Sequence, residues 1–172
     1  VIFKNTKLDL ISNKSIPTSL RDISGFRFAV KNSAATVSEF TVFSAHLKAS
    51  TGSSNENRRW EEVKQLQFYI SQQDKDFRYI LAGDLNLYSP NEQAYKLLVD
   101  SMYVDLEDPI GGWVRDDNSN VLKFTQSTRT DQIGDGGSTG GLDDRFDFIL
   151  FSDHFTKTDP NLKFLENSYR VI

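Results

Sequence analysis

Two apolar runs flank one amphipathic stretch, and that order limits what this chain can fold into. SEFTVFSAHL (38–47) and RYILAG (78–83) are continuous enough to be deeply buried strands. Between them, RRWEEVKQLQFYISQQ (58–73) sets Trp60, Val63, Leu66, Gln67 and Ile70 at helical spacing, with Arg59, Glu62 and Gln73 on the polar side. KLDLIS (7–12) and GFRFAVK (25–31) alternate apolar and polar residues and read as half-buried strands. With short turns between them, these two and 38–47 are expected to be antiparallel neighbours. SPNE (89–92) has the pattern of a capping box opening a helix through about Val99. VLKFT (121–125) reads as a strand, and DRFDFILF (144–151) as a strong strand interrupted by Asp147. GGWVRDDNSN (111–120) and TDQIGDGGSTGGLDD (130–144) read as loops. The sum is a mixed α/β domain, with too few regular crossovers for a simple doubly wound sheet.

Composition narrows the chemistry. The 172 residues suit one domain and include no cysteine, which excludes disulfides, thiolate metal sites and a thiol nucleophile. With two histidines, the ligands for a metal would be carboxylates and amides, and the ion a hard cation. Residues 1–80 hold 12 Lys and Arg against 8 Asp and Glu, while residues 81–172 hold 8 against 16. That asymmetry suits an anionic substrate met beside a divalent cation, or it is ordinary scatter. No apolar run approaches the ~20 residues of a membrane helix, and no feature points to a protein partner. Both ends look strand-like, so the chain reads as a piece of a longer protein, and the compartment is left open, with a secreted or extracytoplasmic parent as the expectation.

Four polar residues stand at strand ends or inside strands. His46 closes a buried strand, either bonded to backbone or free to donate to a phosphoryl oxygen or oxyanion. Asp84 and Asn86 are two apart in GDLN, so they share a face if the strand continues through Asn86. A carboxylate there can deprotonate a water, and the amide can hold a phosphoryl oxygen or a metal. The alternative is an Asx turn closing the strand. Asp147 lies within an apolar strand, where an unpaired carboxylate is costly, or on a solvated face with Arg145 and Ile149. FSDH (151–154) imitates an Asp-His dyad, but seven residues of straight strand span ~23 Å, so His154 is not expected to reach Asp147. The Asp- and Gly-rich run 131–144 lacks EF-hand spacing and reads as a connector.

AHLKAS, LAGDLN and DDRFDFIL, in this order, resemble the endonuclease/exonuclease/phosphatase superfamily, whose fold is deoxyribonuclease-I-like. NRRWEEVKQLQFYI and FTQSTRT look like its intervening helix and the stretch before its last motif, so the resemblance spans about residues 40–151. It implies part of a four-layer α/β/β/α sandwich with mostly antiparallel or mixed strands, over residues 1–172 as a single partial domain. It implies a metal-dependent phosphate-ester hydrolase acting on nucleic-acid phosphodiesters, with inositol-phosphate or sphingomyelin-type substrates, or a non-catalytic binding domain, as alternatives. The expected cofactor is Mg²⁺ (or Mn²⁺ or Ca²⁺), held weakly here. By resemblance His46 contacts phosphate, Asp84 activates water, Asn86 partners it at phosphate and metal, and Asp147 orients a histidine. Arg58 and Arg59 are expected to meet the polyanion, and Asp84 and Asn86 to ligate the metal. The family's N-terminal Asn, metal-binding Glu and terminal Ser-Asp-His have no counterpart between Val1 and Ile172, so the piece alone is expected to be inactive.

Overall fold

A computed structural model describes residues 1–31, 38–102, 104–126, 134, 141–156 and 162–170. Among them, six strands form one mixed sheet: β1 (Leu8–Ile16), β2 (Ile23–Val30), β3 (Glu39–His46), β4 (Tyr79–Asp84), β5 (Leu106–Glu107) and β6 (Asp147–Ser152), in the order β1-β2-β3-β4-β6-β5. β1, β2 and β3 pair antiparallel, as their alternation predicts. β3 and β4 pair parallel, because helix α1 (Ser53–Ser71) carries the chain back to the same end of the sheet. β6 then returns antiparallel to β4, with two-residue β5 at the edge, too short to show any periodicity.

α1 and the shorter α2 (Gln93–Val99) cover one face of the sheet. Val63, Leu66 and Ile70 of α1 and Ala94 and Leu98 of α2 pack against Phe43, Leu81, Phe148 and Leu150. Phe43 is fully buried and lies edge-on to Tyr69, Phe77 and Tyr79 at 5.8–6.3 Å between ring centres. The opposite face carries Phe40, Val42, Ile80, Ala82 and Ile149, which are only partly covered.

Four local expectations are corrected. α1 begins at Ser53 rather than Arg58, so part of the polar run 48–57 is helical, and Asn55 Nδ2 bonds Thr51 O at the helix start. The faces of α1 also differ from the pattern, since Arg59 and Glu62 are buried together with the apolar residues. α2 begins at Gln93, one residue after the box, because the Glu92 carboxylate accepts from Tyr88 N and from Arg59 instead of capping the helix. VLKFT is no strand: residues Asn118–Lys123 form a 3-10 helix opened by Asp117, whose carboxylate accepts from Ser119 N at 2.9 Å. Most of the run 130–144 lies outside the described residues.

Candidate active site

Strand register places three of the predicted residues in one row. His46 is opposite Asp84 across β3–β4, and Asp84 is opposite Asp147 across β4–β6. Paired strands lie ~4.8 Å apart, and residues in one row project to the same face. An imidazole and two carboxylates therefore stand side by side at the strand tips. His46 Nε2 lies 3.6 Å from Asp84 Oδ2, and the two side chains are 53% and 38% exposed, so the row opens to solvent.

Gly83 makes this approach possible. Its φ is 143°, and a Cβ built there would lie 2.0 Å from the carbonyl oxygen of Ala45. Any side chain would push β4 from β3 one residue before Asp84 and separate the row. The glycine of the GDLN segment is thus a packing requirement of the site.

Asn86 reaches the row by a turn. β4 ends at Asp84, Asn86 has φ 48°, and its backbone N–H donates to Asp84 Oδ1 at 3.0 Å. This is the Asx geometry considered as the alternative, so the expected same-face strand projection is corrected. The Asn86 side chain is 5% exposed, and Nδ2 donates to Leu47 O at 3.2 Å, which leaves one amide proton and Oδ1. The Asp84 carboxylate is thereby oriented, with Oδ1 engaged and Oδ2 turned towards His46.

Asp147 is held by Thr125. The Thr125 hydroxyl oxygen accepts from Phe146 N at 3.0 Å and from Asp147 N at 2.8 Å. Asp147 is exposed at the start of β6, yet partial desolvation pushes its carboxyl up from the ordinary range, and the neighbouring Asp84 charge adds to this; a Thr125 hydrogen bond and His46 partly offset both. For this group the ionised form is the disfavoured one in the fold. Its contribution to stability is therefore present below the usual carboxylate pKa and lost as pH rises through the raised value. Asp84→Asn is expected to bring the Asp147 pKa down, towards its ordinary value, in a carboxyl ¹³C titration. An unchanged Asp147 midpoint would mean that the two carboxylates do not sense each other.

The remaining predicted residues separate into surface and scaffold. Arg58 is exposed and borders a groove with Thr18, Ser19 and Glu61. Arg59 is fully buried, and its expected contact with substrate is corrected. Its Nε and Nη2 donate to the two oxygens of Glu92 at 2.8 and 3.0 Å, and its Nη1 to Lys48 O and Ser50 O at 2.7 and 3.0 Å. Arg145 does not share a solvated face with Asp147 either. It is buried, forks onto Asp108 at 2.8 and 2.9 Å, donates to Gly111 O and lies over the Phe148 ring at 4.2 Å. His154 stands beyond the far end of β6, in a single 3-10 turn, 3.1 Å from Asp153.

Among the described residues, no three His, Asp or Glu side chains converge on a ready cation cage. Magnesium, however, commonly rests on one or two carboxylates, retained waters and substrate phosphate. Asp84 and the free Oδ1 of Asn86 meet that chemistry. Two contributors had no role assigned from the sequence: Thr125, although it falls in FTQSTRT, the stretch that resembles the segment before the family's last motif, and Arg21, which sits in a turn 25 residues from the His46 carbonyl it binds.

No family model matches the sequence, and no curated protein matches it. Solved structures match its fold. The human Nocturnin catalytic domain with bound sulfate is 18% identical at a TM-score of 0.56, over 88% of this chain and 51% of that one. An endonuclease/exonuclease/phosphatase family protein from Bacteroides thetaiotaomicron is 20% identical at 0.59, over 87% and 53%. A mannosyl-6-phosphatase from the same species is 18% identical at 0.56, over 87% and 55%. The chain thus spans about half the length of the structures it matches.

Proposed function

We propose, from the premise that this chain has the deoxyribonuclease-I-like fold of the endonuclease/exonuclease/phosphatase superfamily, that it supplies part of the site of a magnesium-dependent phosphate-ester hydrolase acting on nucleic-acid phosphodiesters. The observation that supports this most is the row His46, Asp84, Asp147 with Asn86 beneath it. In this reading His46 donates to a phosphoryl oxygen, and the remaining amide proton of Asn86 can donate to a second. Asp84, held through Oδ1 by Asn86 N–H, offers Oδ2 to a water and takes its proton as the water oxygen bonds to phosphorus and the ester P–O bond breaks. Asp147, held at its backbone by Thr125, carries the second carboxylate of the row and is available to orient a donor brought to it. Asp84 and Asn86 Oδ1 would hold magnesium, which when bound supplies Lewis-acid stabilisation of charge on the phosphoryl oxygens.

The two histidines provide the test. Inorganic phosphate and Mg²⁺ titrated into the chain are expected to move the His46 imidazole signals and leave those of His154 in place. In a polypeptide carrying this chain within a domain of the solved structures' length, His46→Ala is expected to reduce hydrolysis of a chromogenic phosphodiester, and His154→Ala to leave it near wild type. A His46 signal indifferent to phosphate, or equal losses from the two substitutions with the fold intact, would overturn the reading.

A further inference from the structure

We infer that Arg21 is a positioning residue for His46, acting through the backbone of the segment that leaves β3. The inference rests on the reading of His46 as the phosphate contact. Arg21 lies in the connection between β1 and β2, outside every motif. Its Nε donates to His46 O at 2.9 Å and its Nη2 to Leu47 O at 2.9 Å. One planar guanidinium thus bridges two consecutive carbonyls, which a lysine ammonium cannot do with the same fixed geometry.

The place of these bonds gives them their effect. The β3–β4 pairing runs out at Leu47, whose N–H donates to Asp84 O at 3.0 Å. Past that point side chains from several elements hold the backbone. Leu47 O also accepts from Asn86 Nδ2, Lys48 N donates to Glu62 Oε2 at 2.9 Å, and Ser50 N donates to the Tyr88 hydroxyl at 3.1 Å. Arg59 takes Lys48 O and Ser50 O. Ser50 has φ 82°, a conformation that a non-glycine residue keeps only where its surroundings over-determine it. Glu62 is buried with Oε1 lacking a hydrogen-bond partner, and the Arg21 cation is close enough to act on its charge. In this clamp Arg59 and Glu62 are interior residues, whereas Arg21 reaches in from the surface. Its loss therefore frees the His46 carbonyl and leaves the Leu47 carbonyl to Asn86 Nδ2 alone, while the core and the sheet remain. The imidazole on that backbone then loses its fixed place beside Asp84.

The chain has two imidazoles, and His154 at the far end of β6 serves as the internal reference. Heteronuclear NMR of the phosphate-free protein is compared for wild type, Arg21→Lys and Arg21→Ala, together with Tm. Expected in both variants are shifted and broadened His46 imidazole signals and a displaced Lys48 amide, with His154 and Tm close to wild type. Wild-type His46 signals in Arg21→Ala would overturn the inference. So would their full recovery in Arg21→Lys, which would assign the effect to charge rather than to the fork. Signals of His46 and His154 moving together would also overturn it, as general loosening. Inorganic phosphate added afterwards separates this from the functional reading: a silent wild-type His46 defeats that reading, while the phosphate-free spectra still decide the role of Arg21.

Discussion

Asp84→Asn is expected to lower phosphodiesterase turnover by at least ~100-fold, since removing a positioned general base commonly costs ~10²–10⁴. The substitution keeps the shape of the side chain and an oxygen able to accept from Asn86 N, so the turn that closes β4 should survive. What disappears is the charge that faces His46 at 3.6 Å and that, in the proposed reading, takes a proton from water. It also relieves Asp147 of a like charge, so a fall in turnover accompanied by a lower Asp147 pKa would tie both effects to one carboxylate. The assay requires a polypeptide carrying this chain in a domain of the length seen in the matched structures, with Mg²⁺ and a generic phosphodiester. Turnover within a factor of a few of wild type would remove Asp84 from the chemistry.

The largest loss of stability is expected from Arg59→Ala. Glu92 is 6% exposed and Arg59 fully buried, so truncating the arginine strands a buried carboxylate, at ~3–5 kcal/mol. Two carbonyls, Lys48 O and Ser50 O, lose their donor in the same step. The double variant Arg59→Met, Glu92→Leu removes both charges together and should recover a large part of the loss, because an apolar pair of similar volume often replaces a buried ion pair without penalty. Urea unfolding of the single and double variants measures this. A single variant within ~1 kcal/mol of wild type would show that water reaches Glu92 and that the pair is less buried than its geometry indicates.

The strands and their polar tips were legible because their signals are local. Alternation in GFRFAVK and the continuous runs at 38–47 and 78–83 follow from which faces are buried, and burial leaves its period in the chain. His46, Asp84 and Asp147 stood out for the same reason, as polar residues where an apolar strand ends or is interrupted. The seven-residue span that separated His154 from Asp147 was also local, and His154 lies in a 3-10 turn past the far end of β6 from Asp147. The α1 pattern misled at Arg59 and Glu62. A helical period marks which side is apolar, but it cannot announce that a charged side chain will be buried beside a partner 33 residues away. Arg145 is the same case, with Asp108 37 residues back. VLKFT looked like a strand because β-branched and aromatic residues are shared by many irregular segments, and the Asp117 carboxylate won by capping a 3-10 helix.

From the order of its residues alone, this chain declares buried strands, one long helix between two of them, and carboxylate and imidazole groups at strand ends. Each of these depends on neighbours within a few positions. The pairing of those strands belongs to the folded state: that β3 and β4 run parallel, that Gly83 lets them close to within a carbonyl's reach, and that β6 returns to bring Asp147 opposite Asp84. So does the fork of Arg21 onto the His46 backbone. Hydrogen bonds and packing between distant segments set these features, and no local propensity encodes which distant partner a side chain will meet.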